Sequence, residues 1–450
     1  IRSCLVGSEM CIRDRIRSVE FEGPFTESWP PKSHAAIFKG LPSSTLTKAQ
    51  AWSVVSDFAT RAFRRPLITE EAEWLQGVLE RRLDSDPSTR EAVTSTLAVV
   101  LTSPQFLFLI EESRSPEGEL LDDWELASKL SYLLWNTAPD EQLLELARMG
   151  QLMEELGPQV ARMIENSKFV KFATPFASQW LKLDKFKVVE FDRKRFPDLT
   201  RDARESLARQ PIKTVEYLIR ENRPIRELID ADYILADEVV ADYYGMGLKT
   251  EQGFEFVPVA HGQVGLGGVL TQAAIMAGLS DGRESNPIKR GAWFARAIIA
   301  EPPSDPPPNV PELADETNRK LSLREKLELH RNQKGCKNCH EGIDPWGIPF
   351  EYYDAGGRLK KGGSVDGASI LPDKTTVKNA EEFKDYLVNQ RLDQVAFSYL
   401  KHLATYAMGR SLTYNEIESI RQMALDFKDR DYPAREMLGR LIESPIFLEK

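Results

Sequence analysis

The sequence predicts a mainly α protein built from several helical subdomains, with few short strands. Three observations carry that prediction. Apolar residues recur at helical spacing in one segment after another. Proline, glycine and charged clusters cut those segments apart. The composition, 42% hydrophobic and 28% charged over 450 residues, is that of ordinary globular protein with room for about three domains.

The elements follow in order. Residues 1–15 stand apart, because Ser3–Arg15 resembles translated sequencing adapter; the stretch is assigned to no domain, and its Cys4 and Cys11 say nothing of redox compartment. An export signal is expected to have been lost with the true N-terminus. Residues 16–45, with Pro24, Pro30 and Pro31, read as a linker or strand segment. A helical domain is predicted over 46–112. Ala51, Val54, Val55, Phe58, Ala62 and Phe63 share one helical face, and Pro66 stops that helix. Thr69 opens the next, with acids at 70, 71 and 73 where the helix dipole favours them. A third runs from about Ser88 to Thr102.

A linker, Ser113–Gly118, leads to a second helical domain over 119–253. Leu126, Leu130, Leu133, Leu134 and Trp135 form one apolar face. Leu143, Leu144, Leu152, Val160 and Met163 mark further helices, followed by Phe169–Leu181 and Arg201–Arg220. Core packing accounts for the aromatic residues on these faces.

Residues 254–365 form a different unit. Gly262, Gly265, Gly267 and Gly268 give the order G-x-x-G-x-G-G, which lacks the dinucleotide-binding fingerprint and reads as a packed or turning segment. A helix is predicted over Ile288–Ala300, then an extended polyproline spacer over 301–311, then a charged amphipathic helix over Leu321–Asn332. The C-terminal residues 366–450 are helical again, with segments around Phe383–Leu387, Val395–Ala407, Ile417–Phe427 and Arg435–Ile442. Ser103-Pro104-Gln105-Phe106-Leu107 is faintly echoed by Ser444-Pro445-Ile446-Phe447-Leu448.

The charged helix ends at Cys336-Lys337-Asn338-Cys339-His340, which reads C-x-x-C-H, the attachment motif for c-type haem. Two cysteines at this spacing can each add to one haem vinyl group, and the adjacent histidine can ligate the iron. Cys336 and Cys339 are thus expected to hold one covalent haem c, with His340 as axial ligand. This makes 254–365 a cytochrome c-like haem-binding domain. A zinc site would want a second ligand pair at suitable spacing, and a thioredoxin-like pair would want a strand and helix around it; the sequence offers neither. Downstream, Ile343–Phe350 mixes turn residues with large apolar ones and is expected to form a loop wrapping the macrocycle.

Motifs along 16–450 extend the argument. Arg61–Pro66, Ser103–Leu107, Ala127–Trp135, Gly268–Gln272, Asn286–Gly291, His330-Arg331, Ile343–Gly347, Glu351–Asp354 and Thr405–Arg410 accompany the C-x-x-C-H. With them the chain resembles a planctomycete-type multi-domain family, in which consecutive domains of unknown function surround a cytochrome c-like haem motif. The resemblance implies a secreted or periplasmic, mostly helical haem protein, often associated with polysaccharide or sulfated-glycan use.

The sixth iron position decides between functions. Candidates are His330, Met408, His402, Met276 and His261, or no protein ligand. Arg283, Lys289, Arg290 and Arg358 are candidate partners for the haem propionates. Lys+Arg 59 against Asp+Glu 69 gives net −10, which argues against nucleic acid as partner. No run reaches the ~18 apolar residues of a membrane span.

The expected function is electron transfer by an extracytoplasmic c-type haem protein, with a redox protein as partner and a possible association with polysaccharide. The alternatives are a peroxidase-like haem oxidoreductase and a glycan-associated scaffold in which haem is structural. No H-E-x-x-H, G-x-S-x-G or phosphate-loop pattern points to hydrolase or nucleotide chemistry.

Overall fold

The computed structural model describes residues 20, 22–23, 25, 31–38, 40–41, 46–111, 118–250, 253–262, 265–303, 337–360 and 365–450. The chain is mainly helical. Its strands form two antiparallel pairs among the described residues. It divides into two compact units, Ile1–Phe108 and Leu109–Lys450.

In the first unit the three predicted helices are Lys48–Phe63, Thr69–Ser85 and Thr89–Thr102. Thr47 caps the first through a reciprocal box with Gln50, and the hydroxyl of Ser88 caps the third. Val54, Val55, Leu79, Val93 and Leu97 meet between them as a buried core. The first helix ends where Arg64 turns into the left-handed region at φ 63. Its guanidinium compensates by donating to the carbonyls of Gln105 (2.7 Å), Phe108 (2.8 Å) and Phe106 (3.2 Å). Residues 16–45 depart from the expected linker or strand, since Lys32–Ile37 is a short helix entered from Pro31. Proline is favourable just ahead of a helix, where the missing N–H costs nothing.

The second unit is described by itself. Helices Asp123–Trp135, Glu141–Met149, Leu156–Glu165, Val170–Leu181 and Arg201–Arg220 stand where the apolar periodicity places them. The C-terminal helices are Ala380–Gln390, Leu392–Met408, Tyr414–Leu425 and Ala434–Ile442. Their inward faces share one continuous core, running in sequence from Leu121 to Phe447. A smaller core gathers Phe186, Leu207, Ile234, Val240 and Leu266. Tyr233–Ala236 pairs antiparallel with Val257–Ala260, in register Tyr233 to Ala260. The glycine-rich turn follows. Gly265, Gly267 and Gly268 all have positive φ, and a Cβ on Gly267 or Gly268 would collide with the carbonyl oxygens of Ala231 or Ile229. This close approach explains the glycine run without a nucleotide.

The expected loop at Ile343–Phe350 is not a loop. Helix Lys337–Gly347 runs through Pro345, and a 3₁₀ turn, Ile348–Tyr352, follows. Trp346 (3% exposed) and Phe350 (0%) turn into the protein core, where they meet Phe294 and Phe383 at centroid distances of 5.4–6.5 Å. The helix predicted over Leu321–Asn332 and positions 304–311 of the polyproline spacer lie outside the described residues.

Candidate functional site

Helix Lys337–Gly347 carries the end of the C-x-x-C-H sequence. Cys339 lies in its first turn, with His340 next along. Cys336 and the Cys339 side chain lie outside the described residues. His340, Ile343, Asp344 and Gly347 recur at i, i+3, i+4 and i+7, and all four are buried. This face packs on helix Pro287–Ala297. The two backbones approach closely because each offers a glycine. A Cβ on Gly291 would strike the Ile343 carbonyl oxygen, and one on Gly347 would strike that of Pro287. The motif helix is thereby seated on a rigid neighbour.

Within that packing His340 Nδ1 lies 2.9 Å from Asp344 Oδ1. The Asp344 side chain has no solvent exposure and that of His340 only 9%. In the sequence Ile343-Asp344-Pro345 reads as turn material, and the helix instead brings Asp344 to the imidazole. The available signal was the H-x-x-x-D spacing, which on a helix puts both side chains on one face. In the tautomer whose Nδ1–H donates to this carboxylate, the imidazole lone pair sits on Nε2. A neutral imidazole in that tautomer, held by a carboxylate behind it, is the donor that a haem iron takes from a proximal histidine. The residues present fit the group that the motif implies.

The far end of the motif helix is held by Arg290, which is entirely buried. Its guanidinium donates to the carbonyls of Phe350 (2.6 Å), Tyr353 (2.9 Å), Asp354 (2.9 Å) and Met276 (3.3 Å), and lies 3.6 Å from the Glu351 carboxylate. Burial pulls its pKa down, against the opposing pull of Glu351 and Asp354. Glu351 also accepts from the Ser285 hydroxyl at 2.7 Å. Arg290 therefore clamps the turn after the motif helix. Arg358 is likewise engaged, paired with Asp198 at 2.8 Å and lying over the ring of Tyr243. Arg283 and Lys289 are exposed.

Among the described residues, the proposed sixth ligands do not converge on the motif helix. That helix packs chiefly on Pro287–Ala297, on the turn Ile348–Tyr352 and on the strand Ser369–Ile370, and none of these contains histidine or methionine. His402 Nε2 lies 3.2 Å from the Arg296 carbonyl, and burial lowers its pKa to about 4. Met408 lines a cleft of about 590 Å³ with Tyr132, Tyr406 and Arg410. Met276 is fully buried in the core. His261 Nε2 lies 2.9 Å from the Ala231 carbonyl. His330 lies outside the described residues.

Among the described residues no helix is long and apolar enough to cross a membrane.

Four family models, each described as a protein of unknown function, match consecutive stretches of the chain. DUF1595 matches residues 50–111, DUF1592 residues 121–246, DUF1588 residues 266–362 and DUF1585 residues 373–447. His340, Asp344 and Arg290 all fall within the DUF1588 match. No curated protein and no solved structure matches the chain. The four domains in succession are a planctomycete-type, cytochrome-like architecture.

Proposed function

We propose that the protein is an extracytoplasmic c-type haem protein whose function is electron transfer. Cys336 and Cys339 would hold the haem by thioether bonds, and His340 would ligate the iron. The observation that carries this reading is the buried His340–Asp344 pair at 2.9 Å, which prepares Nε2 as a metal donor directly beside the C-x-x-C sequence. A haem at this place supplies a one-electron couple. The chain's own residues do the rest: Asp344 orients the imidazole, the Gly291–Gly347 contact fixes the helix that bears it, and Arg290 anchors that helix's exit. Extracytoplasmic placement follows from the chemistry of attachment, which resembles export-coupled cytochrome assembly. The partner on this reading is a redox protein, and polysaccharide use is the setting that the resemblance implies.

A second reading, a haem oxidoreductase acting on peroxide, is favoured by the same carboxylate. A histidine backed by an anion donates more strongly to iron than one backed by a neutral carbonyl.

Expression with a cytochrome maturation system, followed by spectra of both oxidation states, separates these readings. A covalent, six-coordinate, low-spin haem is the result expected for electron transfer. A five-coordinate haem that binds CO and turns over peroxide would move the assignment to the oxidoreductase. Absence of covalent haem would overturn both.

A further inference from the structure

We infer that Asp344 is the positioning residue that sets the donor strength of His340, and through it the reduction potential of the iron. The inference rests on the haem reading above and goes beyond it, by naming the group that tunes the site. Asp344 sits one helical turn after His340, and its carboxylate has no solvent exposure. A buried carboxylate polarises the imidazole N–H more than a hydrated one, because the local dielectric is low. The histidine gains anionic character, and an anionic donor stabilises the ferric form over the ferrous form. Asp344 therefore holds the potential low.

The arrangement is rigid enough to act this way. Ile343 and Gly347, which flank Asp344 on the same face, lock against Gly291 and Pro287. Ser369 Oγ donates to the Pro345 carbonyl at 2.9 Å, tying the residue next to Asp344 to a neighbouring strand. The backbone on either side of Asp344 is thereby held in place.

The test uses the full chain carrying covalent haem. Asp344→Asn keeps the shape and the acceptor oxygen but removes the charge. In a mediated redox titration the one-electron equilibrium should move toward the ferrous form by about tenfold, or ~59 mV. An unchanged potential, with covalent haem retained, would overturn this inference and leave the haem reading standing; loss of covalent haem from the unaltered chain would overturn both. A second measurement does not depend on the folding of that variant. In His340→Gly the haem stays held by its thioethers, and added imidazole can fill the vacated position. Imidazole can donate an N–H to Asp344, whereas 1-methylimidazole cannot. Imidazole should bind about tenfold more tightly, the worth of one hydrogen bond to a charged group. Equal affinity of the two would overturn the inference.

Discussion

Arg290 shows how much can depend on one side chain. A guanidinium with no solvent exposure satisfies four backbone carbonyls and balances Glu351. Arg290→Met keeps the volume but removes the side-chain donor that those carbonyls share and one of the two cations beside Glu351, the other being Lys360 at 3.5 Å. Such losses cost about 3–5 kcal/mol, so the variant's denaturant midpoint should fall well below that of the parent. Adding Glu351→Gln should recover part of the loss, since a buried carboxylate left with Lys360 alone is then gone; failure to recover any would show that the carbonyl bonds alone carry the energy. Glu416 offers a pH-dependent case. The Arg410 guanidinium, at 2.7 and 3.0 Å, is the main cause that lowers its pKa to about 2, and the Thr413 N–H adds to it. The folded value lies below the ordinary 4.5, so the stabilisation is full above that pH and is lost as pH falls from about 4.5 toward 2. Discounted for partial solvent screening, it is worth about 1–2 kcal/mol. Thermal melts of Glu416→Gln should be flatter than those of the parent across that window, and parallel curves would refute the assignment.

At the scale of elements, the close crossing of Pro287–Ala297 and Lys337–Gly347 is the joint on which the site depends. Gly291→Ala forces a methyl group into the Ile343 carbonyl. Separating the helices should cost about 1–3 kcal/mol and displace His340 from the position its helix now gives it. Chemical denaturation should show the stability loss, and the visible spectrum of the haem-loaded variant should show altered iron ligation. A stability unchanged by the substitution would mean that the helices part without cost. Much at this scale was legible in the sequence. Helix Arg201–Arg220 has the predicted ends, and Pro66 follows the first domain's leading helix as a stop signal should. Even the faint echo of Ser103-Pro104 in Ser444-Pro445 has a common geometry. Each serine hydroxyl donates to the carbonyl three residues back, and each proline opens a four-residue helix. The motif helix was harder to foresee. Proline and glycine in Ile343-Asp344-Pro345-Trp346-Gly347 suggest a turn locally. The helix persists because Trp346 gains a place against Phe294, and Gly347 permits the crossing.

For the whole molecule the same distinction holds between local and distant information. His340 could be picked out from five adjacent letters. Arg290 could not be given its place, because its partners Met276, Phe350, Tyr353 and Asp354 are brought to it by the fold and not by spacing along the chain. Each core is built from a contiguous part of the sequence, and the stretches 119–253, 254–365 and 366–450 contribute to one shared core. The clusters of the first unit draw on residues between Ile37 and Phe106, and those of the second on residues between Leu121 and Leu448. A unit that buries its own apolar faces among its own residues has what independent folding requires. The Arg290 clamp, the glycine crossing and the His340–Asp344 pair all belong to the second unit. Residues 109–450 expressed without the first unit should therefore fold cooperatively, with a helical circular dichroism spectrum and a single sharp thermal transition. The same fragment should take up covalent haem when matured. A broad, non-cooperative melt would show that the large core needs the first unit to form, and the independence inferred from the two sets of clusters would be wrong.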